Sequence, residues 1–187
     1  MIEYPKIPTV FQRDPANNHK TLLDGVFSSP ELEFLANNRW VFTEKVDGTN
    51  VRVSVRDGAP FFQGRKDSSH LPGPLLDALH DIFSPVSDEL AALFPDEEGC
   101  LFGEGYGGRI QKAGKDYALE ESFVLFDVEC GGWWLRRPDV EDVAKKLGIG
   151  VVPIIGEGDL MDMVARVQCG FRSQWGDFAA EGIVARA

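Results

Sequence analysis

The stretch "TEKVDGTN", from Thr43 to Asn50, places a lysine two residues before an Asp-Gly step. The residues around it, "WVFTEKV" and "NVRVSVR", are patterned as short strands, and valines alternate with polar residues in the second. Such period-2 alternation predicts a half-buried strand. Asp-Gly between two strands is a common hairpin turn. The local pattern therefore predicts two strands around a turn, and it leaves open whether Lys45 is a nucleophile.

The rest of the chain predicts strands with helices inserted between them. Residues 74–94 carry apolar side chains at helical spacing, and Pro85 divides them into two predicted helices. "RPDVEDVAKKLGI" predicts a helix capped by Gly148, and another is predicted from Asp159 to Gln168. Strands are predicted for "DGAPFFQGR", "GCLFGEG", "SFVLFDVEC" with its hairpin partner "GGWWLRR", "VVPII" and "EGIVAR". This order predicts an α+β fold with largely antiparallel sheets.

Composition limits the classes of protein to consider. The 187 residues are enough for one good-sized domain, and the net charge of −11 argues against broad non-specific binding to nucleic acid. A local basic groove remains compatible with that charge. The sequence contains no apolar run of the roughly 18 residues that a membrane span requires, and it begins with no signal-peptide pattern. The three cysteines are far apart, which favours free thiols in a reducing cytosol. We therefore expect a cytoplasmic protein.

The glycine-rich stretch "GEGYGG", residues 103–108, fits the G-x-G-x-x-G pattern of dinucleotide-binding sites. That site needs a helix that opens directly on the glycines and holds a pyrophosphate at its N-terminus. The following "RIQKAGKDYALEE" is polar, contains Gly114 and offers no apolar stripe. A dinucleotide site is therefore not expected here.

Four segments of the sequence, taken in their order along the chain, carry the functional signal. They are "EKVDGTN" (44–50), "LFGEGYGG" (101–108), "FVLFDVE" (123–129) and "EGIVAR" (181–186). In this order they resemble the covalent nucleotidyltransferases, which include polynucleotide ligases and mRNA capping enzymes. The resemblance is greatest to ATP-dependent RNA ligases typified by the second RNA ligase of phage T4, because of Asn50 and of "GRIQK" after the glycines. It implies an ATP-grasp-like adenylation domain over residues 1–187, with residues 1–38 packed on it as an extension.

The resemblance also implies a reaction. Lys45 would attack ATP and carry AMP as a lysyl-adenylate, with Mg²⁺ or Mn²⁺ bound partly by Glu181. A lysine amine attacks only when neutral, and the ordinary lysine pKa is about 10.4, so cations, a metal or burial must favour the neutral form. AMP would then pass to a 5′-phosphate, and a 3′-hydroxyl would displace it. The implied partners are RNA ends in a nicked duplex or a broken RNA, acted on by a monomer that is phage-encoded or cellular.

Residues close to the lysine take roles from the same resemblance. Asp47 and Gly48 would form the turn that presents Lys45. Asn50 would contact phosphate, and Glu44 would lie near the adenine edge. Each of these residues, taken alone, has an ordinary structural interpretation as part of a strand or turn.

Residues from later segments would complete the nucleotide site. Arg65, in "GRKD", would contact the ribose or a phosphate, and Glu104 would bind the ribose hydroxyls. Phe126 would stack on adenine, with Phe123 as the alternative if the strand faces the other way. Lys112 would contact nucleic-acid phosphate.

One element of the family pattern is not found. The family has a Lys-x-Lys strand beyond the Glu-Gly strand, and those lysines hold the triphosphate in the first step. No such pair follows "EGIVARA", so we expect a chain truncated before that strand, with a doubtful first step. Three alternatives therefore stay open: a DNA ligase, a GTP-using capping enzyme, and a nucleotide or nucleic-acid binding module impaired in catalysis.

Overall fold

The computed structural model describes residues 3–96 and 98–187. Their strands are β1 (Phe11–Arg13), β2 (Leu22–Phe27), β3 (Trp40–Lys45), β4 (Thr49–Arg56), β5 (Ala59–Gly64), β6 (Gly99–Gly107), β7 (Glu121–Cys130), β8 (Trp133–Trp134), β9 (Gly150–Val151), β10 (Ile154–Gly158) and β11 (Gly182–Arg186). Their α-helices are α1 (Pro30–Leu35), α2 (Gly73–Phe83), α3 (Ser87–Leu93), α4 (Gly114–Tyr117), α5 (Arg137–Leu147) and α6 (Leu160–Cys169). No helix within this described part of the chain is long and apolar enough to cross a membrane.

The large sheet has the strand order β5-β4-β6-β7-β8, with every pair antiparallel, and β9 joins β7 in parallel. Helices α2, α3 and α5 bury their apolar faces against this sheet. The main core contains fully buried side chains from β4, α2 and β7, among them Val53, Leu79 and Leu125. This packing makes the large sheet a rigid support for the residues on its other face.

The small sheet has β3 at its centre, with β10 on one side and β11 on the other, both antiparallel. A separate core forms here from Trp40 and Phe42 of β3 and from Leu160 and Met163 of α6. β1 and β2 pair with each other, and residues of this N-terminal part, including Phe27, pack against the same core. The small sheet thus has its own apolar support.

The predicted hairpin around Asp47 and Gly48 is wrong. The strands on either side exist, but β3 belongs to the small sheet and β4 to the large one. The local sequence indicates that a turn is present. It carries no information about the strands that pair with β3, which lie more than 100 residues downstream. The turn therefore connects the two sheets.

The predicted strand "VVPII" is two strands. Val151 pairs in parallel with Leu125 in the large sheet, whereas Ile154 pairs with Thr43 in the small sheet. Pro153 lies between them, and proline has no backbone N–H with which to continue a ladder. The chain therefore crosses between the two sheets a second time.

The other predicted elements are confirmed. A 3₁₀ turn at Ser84–Val86 separates α2 from α3 at Pro85, and Gly148 ends α5 with a left-handed φ of 65°. β6 continues through the glycines to Gly107, so no helix opens directly on them. The result is an α+β fold with antiparallel sheets, as the sequence predicts.

Candidate active site

A cavity of about 650 Å³ is lined by residues of both sheets. The small sheet contributes residues of β3, β10 and β11, and the large sheet contributes residues of β4, β6 and β7. Six of the residues singled out from the sequence line it: Glu44, Lys45, Asn50, Arg65, Glu104 and Phe126. The two chain crossings, at residues 46–48 and at Pro153, are what bring these distant segments together.

Lys45 is the last residue of β3, and its side chain is about half exposed. β11 runs alongside, with Gly182 opposite Lys45 in the ladder. The preceding residue, Glu181, forms an ion pair with the Lys45 ammonium. The sheet register therefore places the predicted nucleophile and the predicted metal ligand in direct contact.

The turn after Lys45 fits closely over the large sheet. A Cβ atom at Gly48 would overlap the carbonyl oxygen of Gly105 and would lie 2.7 Å from Cγ of Glu104. The Gln111 side-chain amide donates a hydrogen bond to the Gly48 carbonyl oxygen over 3.0 Å. Glycine is needed here because the backbone of β6 leaves no room for a side chain.

Glu104 lies opposite Asn50 in the β4–β6 ladder. Burial raises the pKa of the Glu104 carboxyl to about 8, with nearby Lys45 opposing this and with Glu181 and Asp47 adding to it. The Asn50 side-chain oxygen is buried and has no hydrogen-bond partner among the described residues. An unsatisfied polar atom in a cavity wall is energetically unfavourable, so it marks a position where a ligand can donate a hydrogen bond.

The choice between Phe126 and Phe123 is decided by the geometry of β7. Phe102 faces Asp127 in the ladder and Gly103 faces Leu125, so Phe126 is an extra residue in a β-bulge. Phe126 lines the cavity, whereas Phe123 is buried in the main core. Phe126 is therefore the one available for stacking on a base.

Glu44 is almost completely buried, at 1% exposure. Its carboxylate accepts hydrogen bonds from the Ser173 hydroxyl at 2.5 Å and from the Gln174 backbone N–H at 2.7 Å. Both oxygens therefore hold the loop that leads into Glu181. This geometry favours a structural role for Glu44 over the predicted contact with the adenine edge.

Sequence reasoning missed the N-terminal wall of the cavity, which is formed by residues 4–7. The Tyr4 hydroxyl donates to Asp127 Oδ2 over 2.5 Å, and Arg186 forms an ion pair with the same carboxylate. The Tyr4 and Phe126 rings form a T-shaped pair, with 5.0 Å between ring centroids and 68° between ring planes. No local motif marks Tyr4, because its partners lie more than 90 residues away.

The carboxylates beside Lys45 fit a divalent metal ion in part. Within residues 3–96 and 98–187, no group of three or more His, Cys, Asp or Glu side chains is placed to hold a metal. Mg²⁺ is often held by one or two carboxylates, while waters and phosphate oxygens complete its octahedral shell. Glu181, which contacts Lys45, offers such an oxygen donor, and Glu104 lies close enough for the charges of both to affect its pKa. Lys112, by contrast, is exposed and is not among the cavity-lining residues.

A family model described as RNA ligase matches residues 38–187. The chain belongs to the RNA ligase family. The match includes the lysine turn, the glycine-rich strand, the Phe-Asp strand and the Glu-Gly strand.

Solved structures of an RNA ligase from Naegleria gruberi share the fold. A lysine-to-alanine variant with ATP and Mn has 20% identity and a TM-score of 0.67 over 98% of this chain and 53% of that one. A complex with PPi has 20% identity and a TM-score of 0.68, again over 98% of this chain and 54% of that one. A lysine-to-methionine variant with AMP and Mn has 18% identity and a TM-score of 0.66 over the same shares. This member of the RNA ligase family thus spans about half the length of these structures. The comparison with curated proteins gives no match.

Proposed function

We propose that this protein is an ATP-dependent RNA ligase of the phage T4 second RNA ligase type, which joins 3′-hydroxyl and 5′-phosphate ends through a lysyl-adenylate on Lys45. The observation that carries the proposal is the position of Lys45. It lies at a cavity whose walls supply carboxylates, an unpaired amide oxygen and the ring of Phe126. The Naegleria gruberi enzyme is seen in complexes with ATP and Mn and with AMP and Mn, which supports nucleotide and divalent metal use here.

The first step forms one bond and breaks one. The lone pair of the Lys45 amine attacks the α-phosphorus of ATP, an N–P bond forms, and pyrophosphate leaves with the electrons of the broken P–O bond. The Lys45 ammonium must first lose a proton to water, because the Glu181 carboxylate in contact with it has to stay ionised to bind the metal. The ion pair therefore has to open before attack, which frees Glu181 for its second role.

Glu181 would hold the divalent metal together with phosphate oxygens of the nucleotide, and Glu104 would bind the ribose hydroxyls. When bound, the ion neutralises phosphate charge and favours the loss of the proton from a nearby ammonium. Asn50 would accept a hydrogen bond from a ribose hydroxyl at its buried oxygen, or donate from its side-chain N–H to a phosphate. Phe126 would present its ring to adenine, because it lines the cavity.

Covalent labelling tests the proposal. The protein is incubated with α-labelled ATP and Mg²⁺ or Mn²⁺, denatured, and examined for bound AMP. We expect label on the parent chain and none on Lys45→Ala. Lys146→Ala is the matched control, because Lys146 is an exposed lysine on α5 that pairs with Asp142 away from the cavity. ATP binding without any label would identify a nucleotide-binding module instead, and neither binding nor label would overturn the proposal.

Strand and nucleotide competition tests the substrate. RNA with a 3′-hydroxyl and a 5′-phosphate is compared with DNA of the same sequence, and ATP with GTP. We expect sealing of RNA with ATP. Preference for DNA would favour a DNA ligase, and labelling from GTP would favour a capping enzyme.

A further inference from the structure

Arg52 is a fully buried cation in the middle of β4, with 0% of its side chain exposed. A guanidinium is costly to remove from water unless its donors are bonded and its charge is paired. Arg52 does not line the cavity. The reason for its burial must therefore lie in its contacts outside the cavity.

Two of its bonds reach the segment that carries Arg65. Arg52 Nε donates to the Gly64 carbonyl oxygen over 2.8 Å, and Nη2 donates to Asp67 Oδ1 over 2.8 Å. The hydrogen bond from Arg52 lowers the pKa of the Asp67 carboxyl below its ordinary value. The two acceptors lie one residue before and two residues after Arg65, so the guanidinium holds this segment from both sides.

The segment needs such an anchor because the sheet stops there. Pairing of β5 with β4 ends at Gly64, opposite Val51. The chain then folds back, with a hydrogen bond from Ser69 N to Lys66 O at 2.9 Å. A Cβ atom at Gly64 would lie 2.7 Å from Cβ of Ser69, so the fold-back is tight.

We propose that Arg52 is a positioning residue, which acts with Asp67 to fix residues 64–67 so that Arg65, which lines the same cavity as Lys45, faces the nucleotide. This inference rests on the proposed function, since it assigns the nucleotide as the ligand of Arg65. A planar guanidinium can bond a carbonyl and a carboxylate at once through different nitrogens. A lysine at position 52 would lack the planar fork of donors with which Arg52 bonds both acceptors.

The affinity for ATP, measured without catalysis, tests the proposal through variants of Asp67, the exposed partner of Arg52. The Asp67 side chain is 67% exposed, so Asp67→Ala removes the carboxylate without opening a cavity. We expect the Kd for ATP, measured by calorimetry, to rise about 5- to 20-fold in Asp67→Ala and less in Asp67→Asn, which keeps an acceptor oxygen. Asp57→Asn, at the other end of the β4–β5 hairpin, is the matched control and should bind as the parent does. A parent chain that binds no ATP would overturn the proposed function, whereas equal affinity in parent and Asp67→Ala would overturn this inference alone.

A double-mutant cycle separates positioning from general stability. If Asp67 and Arg52 act through Arg65, then Arg65→Ala combined with Asp67→Ala should bind ATP no more weakly than Arg65→Ala alone. Fold-losses that multiply would show that Asp67 acts independently of Arg65, and would overturn the inference. Arg52→Lys is expected to match the affinity of Asp67→Ala, and parent-like affinity in Arg52→Lys would also overturn it. Melting temperatures are recorded throughout, and a lower Tm with unchanged ATP affinity in Asp67→Ala would assign the anchor a structural role only.

Discussion

Strand β4 has an Asp-Gly step at each end, Asp47–Gly48 before it and Asp57–Gly58 after it. The second is an ordinary two-residue hairpin: both residues have positive φ, 50° and 72°, and Arg56 pairs with Ala59. The first joins two different sheets, and Gly48 does not have positive φ. Glycine is therefore needed at position 58 for backbone conformation and at position 48 for space. The same dipeptide serves a turn in one place and presents Lys45 to a cavity in the other.

The largest expected effect on activity comes from comparing Gly48→Ala with Gly58→Ala, which each add one methyl group. Gly48→Ala would force Cβ into the backbone oxygen of Gly105, so we expect lysyl-adenylate formation to fall 100-fold or more. Gly58→Ala meets no atom within 4 Å, and it should reduce stability by about 1 kcal/mol through its positive φ, with labelling unchanged. Labelling rates and thermal unfolding check both variants. Parent-like labelling in Gly48→Ala would show that the close approach to β6 is unimportant.

The strand that leads into the first turn depends on a buried acid. Glu44→Ala leaves the donors of Ser173 and Gln174 without their acceptor, so we expect a loss of about 3 kcal/mol in the free energy of unfolding. For a chain of this size that is roughly 6–12 °C in Tm. Glu157→Gln, an exposed acid of β10 in the same sheet, should change stability by no more than about 0.5 kcal/mol. Calorimetric melting compares the two, and equal small effects would remove Glu44 as the anchor of this loop.

The carboxyl beneath the first turn should make stability depend on pH. The pKa of Glu104 is raised from 4.5 to about 8 in the folded state, so its contribution is fully present below pH about 4.5 and is lost as pH rises through about 8. A tenfold difference in proton affinity between folded and unfolded states is worth about 1.4 kcal/mol. We expect Glu104→Gln to gain at least about this much over the parent between pH 5 and pH 9. Denaturant unfolding at both pH values measures it, with exposed Glu120→Gln as the control, and a pH-independent difference would contradict the raised pKa.

The smallest expected effect concerns the side-chain amide of Gln111, which bonds to the turn. Gln111→Ala removes the hydrogen bond to the Gly48 carbonyl, which is worth about 0.5–1.5 kcal/mol because the amide is exposed. We expect labelling to slow about threefold, the equivalent of roughly 0.6 kcal/mol, with Tm almost unchanged. Gln168→Ala, at the exposed end of α6, is the matched control. Identical labelling rates in both variants would show that the turn is held without Gln111.

The ends of helices, and those cavity-lining residues that belong to the family-like segments, could be predicted from the sequence. The helix break at Pro85 and the cap at Gly148 depend on the backbone chemistry of proline and glycine, which is a property of the residue itself. Lys45 and Glu104 could be proposed because their segments resemble those of a known family. The bulge that turns Phe126 into the cavity could not be predicted, because it depends on the register between β6 and β7.

Tertiary contacts also decided which charged groups are free. Glu44 and Asp127 look alike in sequence, as acids beside strand residues, yet both are buried and committed to bonds with distant segments. Arg52 looks like a solvent-facing residue in an alternating strand and is instead fully buried. Alternation predicts two faces for a strand, and it does not show that both faces are covered.

By itself, the sequence determined that a lysine precedes a turn, that antiparallel strands dominate, and that four segments resemble those of RNA ligases. Those features depend on residue type, short-range periodicity and order along the chain. The tertiary structure decided that the turn crosses between two sheets, that Glu181 lies against Lys45, and that residues 4–7 form a wall of the cavity. These depend on contacts between residues up to 182 positions apart, and such contacts are set by which apolar faces can be buried together.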